Sequence, residues 1–581
     1  MLLDKPCKYL RCSRIYLGKL FALDERNRYM ISGAAIKLSQ HFLISNRGCK
    51  VNKSLVRLKP SVVVEPLVAR WHAWPYLISP ATSCAYAAFR HVSLMESFLA
   101  APDVHATACK NPSLRGGPFV DLPAESVPAV RELLEQTRTV QKAQIEFANE
   151  FRHAYRMLLE KADGYSIESH YQSMPESLRG YVELTYATSG GPEMRLIEPL
   201  LYKHPVFDES LQTAMMYLSD GEDRSFAFST PRLSRPDAFE INSKFSSHVY
   251  DFLSQLRFEG RSRSDVYETL GVHDAAQSLV DSMLIEVDGT HLDQTSAVPE
   301  YARWRYFGHA CVLVQTSQGH SVLVDPIIAY QDGSAPERFT FSDLPGHIDF
   351  VVLTHNHADH VLLETLLALR TRIGTIIVPK GSGSLADPSL RMMFESIGFA
   401  SVVEFDPLQS VELGDLRITA VPFLGEHGDL DIRTKSGWLI DASGKRLLMA
   451  ADSNNLEPKL YDLIREWFGQ IHILFLGMEC LGAPVSWTYG PVMPLTLDRK
   501  KDQTRRLNGS DCERGMKVVH SLGCNEVYVY AMGAEPWLQF ITSIDPAETT
   551  VPAVNARELV EKCRALGIKS ERLYGRAESR I

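Results

Sequence analysis

The sequence predicts an α/β fold for the C-terminal half of the chain, preceded by a large mixed α+β domain. Two observations lead to this prediction. Near residue 300 the pattern changes from helix and loop to short apolar strands that alternate with helices. The strand candidates after that point end repeatedly in polar or acidic residues, and active sites tend to collect at such ends.

The composition is that of a globular protein. The 581 residues are 45% hydrophobic and 23% charged, which excludes a fibrous or mostly disordered chain. The net charge of −9 argues against a protein that mainly binds nucleic-acid phosphates. No stretch reaches the ~18 consecutive apolar residues of a transmembrane helix. We therefore expect neither a nucleic-acid partner nor a membrane.

Four segments are expected along the chain. Residues 1–50 carry ten Lys or Arg against three Asp or Glu, and we interpret them as a poorly ordered or mis-started extension. An N-terminal domain over 51–298, a catalytic domain over 299–545 and a C-terminal helix and tail over 546–581 follow. The ten cysteines form no C-x-x-C pair, which predicts reduced thiols and a cytoplasmic protein.

The N-terminal domain is predicted to consist of helices and loops, and it contains no recognisable catalytic motif. Residues 125–159 have apolar side chains at helical spacing, and a shorter helix is predicted at 246–257. A Gly-Gly-Pro turn lies at 116–118. The aromatic segment 70–82 is interpreted as core or dimer packing, with a substrate-cradling role as the alternative.

The C-terminal half is predicted to begin with a hairpin from 311 to 325, with Gln318 and Gly319 in its turn. The further strand candidates are residues 350–354, 375–378, 416–421, 447–452, 473–476 and 527–530. The helix candidates are residues 360–372, 389–398, 459–468, 512–522 and 555–566.

A histidine-rich motif carries the predicted chemistry. Residues 354–360 read THNHADH and follow an apolar strand. His355 and His357 are two residues apart, so both imidazoles can project to one side of an extended turn. Asp359 and His360 follow and can reach a second ion. Imidazoles and a carboxylate at this spacing suit a transition metal, and the strand before and helix after provide the expected context.

This motif and three further segments resemble the metallo-β-lactamase superfamily. The segments are GHACVLVQ at 308–315, VLVDP at 322–326 and AADSNN at 450–455. The resemblance implies an αββα sandwich with a metal site at the sheet edges. It also implies that Asp452 is a bridging carboxylate and that Asp325 orients a ligand imidazole.

The chain departs from the two-zinc hydrolases of that superfamily, which need two more histidines downstream. In FLGEHGDL at 423–430 either Glu426 or His427 could ligate, and no histidine follows His520, which lies in a predicted helix. The candidate set is therefore rich in carboxylates. Hard oxygen ligands shift the preference from zinc toward iron or manganese, and open positions beside them suit O₂ activation.

In this departure the sequence is similar to the diiron β-hydroxylases related to the enzyme of the chloramphenicol pathway. The similarity extends from about 51 to 543 and includes GMECLGAP at 477–484 and YAMGAEPW at 530–537. It implies an O₂-dependent diiron monooxygenase of antibiotic or other natural-product biosynthesis. The substrate would be an amino acid tethered to a carrier-protein domain of a nonribosomal peptide synthetase, hydroxylated at its β-carbon. The N-terminal domain would serve dimerisation and substrate presentation in a homodimer.

The same resemblance assigns metal ligands. One iron would be bound by His355, His357 and Glu426. The other would be bound by Asp359 and His360, and Asp452 would bridge the two.

Three further residues are candidates for catalytic or supporting roles. Glu479 follows an apolar strand and is either an acid near the metals or a plain loop acid. His309 and His427 would support the metals, and His309 has a structural role as its alternative. Because one oxygen atom leaves as water, an external electron donor, either an electron-transfer protein or another reductant, must supply electrons.

Two further questions stay open. A zinc-dependent hydrolase of phosphodiesters or lactones, with two Zn or Mn ions, is the alternative function on this fold. The basic cluster formed by residues 499–501 with Arg505 and Arg506 is either a solvated face or a docking patch. Such a patch would suit an acidic carrier protein and its phosphopantetheine phosphate.

Overall fold

The structure is a computed structural model that describes residues 55–219, 221, 224–287 and 298–581, with the backbone of the short strands Leu23–Asp24 and Arg28–Met30. The interpretation of residues 1–50 as an extension otherwise lies outside the described residues. Within the described parts, no helix is both long enough and apolar enough to cross a membrane. The seven cysteines located there are all free.

Two mixed sheets face each other in the C-terminal half and build an αββα sandwich, which confirms the predicted α/β fold. In spatial order, the seven-stranded sheet contains Val402–Phe405, Ile373–Pro379, Ile348–Val352, Ser321–Val324, Cys311–Gln315, Arg303–Gly308 and Ala577–Arg580. The nine-stranded sheet contains Leu23–Asp24, Arg28–Met30, Ser410–Leu413, Leu416–Val421, Gly437–Ala442, Lys445–Met449, Ile473–Gly477, Glu526–Tyr530 and Lys569–Arg572.

The central strands are mostly apolar because both faces of each sheet are buried. Side chains alternate along the strand Cys311–Gln315: Val312 and Val314 enter the core between the sheets, whereas Leu313 enters the core on the outer face. The predicted hairpin is present, with Val312 opposite Val324 across its antiparallel pair.

The helices of this half are Leu363–Leu369, Leu390–Ser396, Lys459–Phe468, Val485–Tyr489, Arg499–Thr504, Cys512–Leu522, Gln539–Thr542 and Val551–Ala565. The helix predicted over 360–372 begins only at Leu363, because the turns of the THNHADH motif occupy the residues before it.

Residues 546–581 form part of the sandwich. The helix Val551–Ala565 packs on the nine-stranded sheet, and Lys569–Arg572 adds a parallel strand to the edge of that sheet. Ala577–Arg580 adds an antiparallel strand to the other sheet. The expected helix is present, and the expected tail supplies an edge strand to each sheet.

The described part of the N-terminal domain holds three small antiparallel sheets. They contain Trp71–His72, Val62–Val68, Gln212–Leu218 and Phe239–Ile241; Arg261–Ser262, Leu55–Leu58 and Leu284–Val287; and Val182–Tyr186 with Pro192–Leu196. The helices around them are Pro75–Ile78, Pro80–Tyr86, Val92–Ala100, Pro102–Lys110, Val127–Val140, Lys142–Lys161, Glu198–Leu201, His248–Leu256, Arg263–Leu270 and Gln277–Ser282, with a π-helical turn at Ala87–His91.

The single helix predicted over 125–159 is two helices, Val127–Val140 and Lys142–Lys161. They are separated by Gln141, which has a non-helical backbone (φ −97°, ψ 24°). The break lets the second helix pack against Pro80–Tyr86. Uninterrupted helical spacing in the sequence carries no sign of such a break, because Gln141 is itself a good helix former.

The two domains share one apolar core. Leu363 and Leu366, on the helix that follows the THNHADH motif, belong to the same buried cluster as Val63 and Leu67 of the N-terminal sheet. Across this interface Arg224 pairs with Glu364 at 2.9 Å, with 15% and 3% of the two side chains exposed. The N-terminal domain therefore fixes the helix that leads out of the motif.

Candidate metal centre

The THNHADH motif lies directly after the strand Ile348–Val352, at its carboxyl end. The backbone N–H groups of His360 and Val361 both donate to the carbonyl of His357, at 3.1 and 2.9 Å. This tight turn brings the imidazoles of His355 and His360 within 4.0 Å of each other, measured between ring centroids. Both side chains are fully buried.

Asp325 determines which nitrogen of His360 carries the proton. Its carboxylate accepts the backbone N–H of Thr354 at 2.7 Å and the hydroxyl of Thr354 at 2.6 Å, and it lies 2.7 Å from Nδ1 of His360. An ionised carboxylate only accepts hydrogen bonds, so His360 carries its proton on Nδ1. Nε2 of His360 is therefore the nitrogen left for a cation, and it lies 3.2 Å from Oδ2 of Asp452. Asp452 and Asp325 outweigh burial and raise the pKa of His360 well above its usual value, so a bound cation would take the place of a proton on Nε2.

The same hydroxyl determines the tautomer of His355. Because Thr354 gives its proton to Asp325, its oxygen accepts from Nδ1 of His355 at 3.0 Å. Nε2 of His355 is buried and has no hydrogen-bond partner. Burial lowers the pKa of His355 well below its usual value, so the imidazole is neutral and its Nε2 can bind a cation.

His357 is oriented by two tyrosines. Tyr76 donates to the carbonyl of Ala386 at 2.5 Å, so in its hydrogen bond with Tyr489 it must accept. The hydroxyl of Tyr489 has then used its proton, and it accepts from Nε2 of His357 at 3.1 Å. Nδ1 is therefore the nitrogen of His357 left for a cation, and it lies 2.8 Å from Oε1 of Glu426. Glu426 outweighs burial and raises the pKa of His357, so a cation bound at Nδ1 would take the place of a proton.

Glu426 and His427, the two candidates in one loop, occupy different places. Glu426 has a left-handed backbone (φ 70°) and forms a group with His355 and His357 whose ligand atoms lie within 4.8 Å of one another. Nδ1 of His427 lies 2.6 Å from the other oxygen of Glu426, and His427 belongs to no such group among the described residues. Burial alone would raise the pKa of Glu426, but His357, His427 and His355 outweigh it and hold that pKa well below its usual value.

Two further groups of possible ligands lie beside the first. One consists of His355, His360 and Asp452, and the other of His309, Asp359 and His360. Nε2 of His309 lies 3.4 Å from Oδ2 of Asp359. His309 was expected to support the metals, and it lies close enough to offer a nitrogen ligand itself.

Glu479 also lies at this site. It is partly buried, with its Oε2 shielded from solvent, and it lines a cavity that also reaches Asp359, Glu426 and Asp452. Burial, with the nearby carboxylates of Asp452 and Asp359, raises the pKa of Glu479 to about 8. This environment is that of an acid near the metal ligands and differs from that of an exposed loop carboxylate.

The donor set fits a pair of cations. Several buried polar atoms have no hydrogen-bond partner among the described residues, and an unpaired buried group costs about 1–3 kcal/mol. They are Nε2 of His355, Nδ1 of His309, Oδ1 of Asp452 and Oε2 of Glu479. Bound cations would satisfy these lone pairs, and a mixed set of imidazoles and carboxylates suits iron or manganese as well as zinc.

A cavity of about 990 Å³ between the two domains leads to these residues. Several aromatic side chains line its wall, including Trp74, Tyr86, Phe226, Phe228 and Trp487. The volume is at the upper end of the roughly 300–1,000 Å³ of small-molecule pockets. The aromatic segment 70–82 is mostly buried in the core, but its Trp74 contributes to this wall.

Two tyrosines at the site were not identified from the sequence. Tyr76 lies in the aromatic segment of the N-terminal domain, and Tyr489 lies on the short helix Val485–Tyr489. Neither belongs to a motif. Only the folded chain brings them to His357, which is 132 residues from Tyr489 in sequence.

Comparison with known proteins gives the family. A family described as the diiron non-heme β-hydroxylase N-terminal domain matches residues 57–287. The curated 4-amino-L-phenylalanyl-[CmlP-peptidyl-carrier-protein] 3-hydroxylase of Streptomyces venezuelae is 35% identical over 530 residues, which cover 90% of this chain and 99% of that protein. The chain belongs to the diiron non-haem β-hydroxylase family. The family predicted from the sequence is therefore confirmed.

Solved structures agree with this diiron β-hydroxylase assignment. The crystal structure of CmlA, a diiron β-hydroxylase from Streptomyces venezuelae, aligns with a TM-score of 0.84 at 35% identity, covering 91% of this chain and all of that one. A β-lactamase superfamily domain matches residues 320–485. A metal-dependent hydrolase of Anaeromyxobacter sp. strain K is 25% identical over 203 residues, 32% of this chain and 68% of that protein.

Proposed function

We propose that this protein is an O₂-dependent monooxygenase that hydroxylates the β-carbon of an amino acid held as a thioester on a carrier protein. One observation carries the proposal: three histidines, each with one ring nitrogen facing the centre, and three carboxylates meet where a cavity between two domains ends. In the family to which the chain belongs, such a centre is described as diiron. The carrier-bound substrate is proposed from the name of the relative from Streptomyces venezuelae.

We assign the cofactor as two iron ions. His355, His357 and Glu426 would hold one ion, and His360 with Asp359 the other, with Asp452 between them. Bound there, the two ions would supply the redox chemistry with O₂. The overall reaction consumes the substrate C–H bond, O₂, two electrons and two protons and forms a C–OH group and water. An external reductant must therefore supply the two electrons.

The chain itself orients the ligands and handles protons. Asp325, Thr354 and Tyr489 hold the protons of the three imidazoles on the nitrogens that face away from the centre. Outer hydrogen bonds of this kind fix the orientation of a ligand and raise its basicity. Glu479, whose pKa is about 8, can hold or release a proton at its buried carboxyl oxygen near neutral pH.

The shape of the cavity supports a tethered substrate. Its walls come from both domains and include several aromatic side chains, so an aminoacyl group at the inner end would be shielded from water. Binding energy from the remote carrier could then order the reacting end of the substrate. This gives the large N-terminal domain a role in presenting the substrate.

The test combines metal analysis with O₂ consumption. Protein purified without air from iron-replete cells should contain close to two irons per chain, with a Mössbauer spectrum of a coupled iron pair. After reduction, O₂ consumption should be fast with the amino acid loaded on its carrier and slow with the free amino acid. Stoichiometric zinc with hydrolase activity and no O₂ uptake would overturn the proposal. Equal rates for free and carrier-bound amino acid would reject only the tethered substrate.

A further inference from the structure

We propose that Arg506 and Arg115, which line the wall of the metal-site cavity from the two domains, bind the phosphodiester of the carrier's phosphopantetheine arm. The inference rests on the proposed function and adds a specific anion site to it. Both arginines line the same cavity as His357, Asp359 and Glu426. One end of the tethered substrate would then meet the metal ligands, while the phosphate would be held by guanidinium groups.

Arg506 is held in place by backbone contacts on both of its sides. The N–H of Val485 donates to the carbonyl of Arg505 at 2.8 Å, and the N–H of Leu507 donates to the carbonyl of Ala483 at 2.9 Å. A Cβ at Gly482 would lie 1.6 Å from the carbonyl oxygen of Leu507, so only glycine permits this close approach. The position of Arg506 on the cavity wall is therefore built into the fold.

The guanidinium of Arg506 is only partly engaged. One terminal nitrogen donates to Oε1 of Gln503 at 3.1 Å, while its buried Nε has no hydrogen-bond partner among the described residues. The structure records no ion pair for Arg506 in the described part of the chain. A guanidinium has five N–H donors in a planar fork that matches the oxygens of a phosphate. Arg506 therefore has free donors where an anion could bind.

Arg115 approaches the cavity from the N-terminal domain. It lies on the exposed loop that contains the Gly-Gly-Pro turn, and no hydrogen bond or ion pair of its side chain is recorded among the described residues. Gly116 has φ +68°, and a Cβ at Gly117 would lie 2.8 Å from the carbonyl oxygen of Leu114. The loop conformation depends on these two glycines, which keeps Arg115 beside the cavity.

Neighbouring basic residues are already engaged in the fold. Arg90 donates to the carbonyls of Ser486 and Trp487 and lies over the Trp487 ring at 4.4 Å. Arg505 donates to the carbonyl of Gly428 at 2.8 Å. The one acid beside Arg506 on this wall, Asp502, accepts the N–H of Ser486 at 3.0 Å. Arg90 and Arg505 therefore use their donors to stabilise the fold, whereas Arg506 keeps donors that a ligand could use.

A phosphodiester fits this place better than a carboxylate of the substrate amino acid. The amino acid is attached through its carboxyl group, so the thioester has no carboxylate, and the phosphate is the charged group of the arm. Arg499 and Lys500 extend the positive surface outward along the exposed helix Arg499–Thr504. They would face the carrier itself, where complementary charge speeds association.

Binding of the arm alone tests the phosphate site, without knowledge of the amino acid. We would measure the affinity of the iron-loaded enzyme for 4′-phosphopantetheine and for pantetheine, which differ only in the phosphate. Native protein should bind phosphopantetheine roughly tenfold to a hundredfold more tightly, as expected for charge-assisted hydrogen bonds. Arg506→Ala and Arg115→Ala should each reduce that preference. Lys517→Ala, at an exposed lysine on the outer helix Cys512–Leu522, is the matched control and should keep it.

Each outcome separates the inference from the proposed function. Equal affinity of the native protein for the two compounds overturns the phosphate site, as does a preference that survives in both arginine variants. Because Arg115 lies on an exposed loop, its variant reports on the site even if Arg506→Ala lowers the melting temperature. A phosphate preference without carrier-dependent O₂ consumption would reject the proposed function instead. An arginine effect seen with the loaded carrier but not with phosphopantetheine would assign the surface to acidic carrier residues and overturn the inference.

Discussion

The hydroxyl of Tyr489 lies 3.1 Å from Nε2 of His357 and links a candidate metal ligand to the N-terminal domain. Tyr489 is hydrogen-bonded to Tyr76, which donates to the carbonyl of Ala386. Tyr76 donates its proton to Ala386, and Tyr489 donates its proton to Tyr76. The oxygen of Tyr489 can therefore only accept a hydrogen bond from His357. The N-terminal domain thus helps to decide which nitrogen of His357 is free to bind a metal.

Replacement of this hydroxyl tests the link. Tyr489→Phe removes the acceptor for Nε2 of His357, so the tautomer with Nδ1 free is no longer favoured. We expect iron affinity or activity to fall roughly tenfold to a hundredfold, as is typical when such an outer partner is lost. Iron content after dialysis against a chelator and kcat with loaded carrier are the measurements.

The matched control for this substitution is Tyr461→Phe. The Tyr461 hydroxyl is also buried but bonds to Asn455 and Ser453 away from the imidazoles. It should lower the melting temperature and leave the iron content unchanged. If both variants lose iron equally, Tyr489 has only a general packing role.

The sequence predicted the part of this site that comes from one short segment of the chain, but it did not predict contacts between distant segments. The THNHADH motif sits on one strand end, so residue spacing alone placed His355, His357, Asp359 and His360 together. Glu426 was distinguished from His427 only by resemblance, because both residues share one loop. Tyr76 and Tyr489 meet across the domain interface, and no spacing along the chain encodes that contact. The start of the helix at Leu363 was also missed, because apolar periodicity does not reveal where turn hydrogen bonds end.

The pair Glu426 and His427 allows a direct comparison of neighbouring side chains. Glu426→Ala removes an oxygen that lies 2.8 Å from Nδ1 of His357 and should cost at least one iron per chain together with O₂ reactivity. His427→Ala should retain more metal, because His427 belongs to none of the possible ligand groups in the described chain. Metal analysis of both variants in parallel shows which of the two loses more metal. Greater metal loss in His427→Ala is the outcome expected of a zinc hydrolase and would contradict our assignment.

We expect Asp325 to matter for iron binding as much as a metal ligand does, although it is not itself in any of the candidate ligand groups. Its carboxylate receives the N–H and hydroxyl of Thr354 and Nδ1 of His360. Asp325→Asn keeps the shape of the side chain but replaces one acceptor oxygen with an NH₂ donor. That donor then faces another donor, either the Thr354 hydroxyl or Nδ1–H of His360. We expect iron affinity to fall about tenfold to a hundredfold and the melting temperature to drop.

The matched control for Asp325→Asn is Asp349→Asn on the same sheet. Asp349 accepts the N–H and hydroxyl of Ser321 at a distance from the motif. It should change stability only. Retention of native iron affinity by Asp325→Asn would show that the position of His360 does not depend on this carboxylate.

The stability of the N-terminal domain should depend on pH through Glu65. This buried carboxylate lies 2.8 Å from Nε of Arg232 and 3.0 Å from Nδ1 of His72, and it accepts the Tyr217 hydroxyl at 2.8 Å. Burial alone would raise the pKa of Glu65, but Arg232 and His72 outweigh it and hold that pKa well below its usual value. A carboxyl whose pKa is lower in the folded protein favours folding above the unfolded pKa of about 4.3. That stabilisation is lost as the pH falls through the lower folded pKa.

Denaturant unfolding between pH 3 and pH 7 measures this contribution. Glu65→Gln should lower the free energy of unfolding at pH 7 by about 3–5 kcal/mol, because Arg232 is left buried and unpaired. The difference from the native protein should shrink as the pH falls below about 4.3, because the carboxylate of the unfolded chain is then protonated while that of the folded protein is still ionised. Glu240→Gln provides the control, since its carboxylate pairs with Arg70 at 2.9 Å but is 33% exposed. A partly exposed pair contributes about 0–1 kcal/mol, so a loss in Glu240→Gln as large as in Glu65→Gln would show that burial does not set the effect.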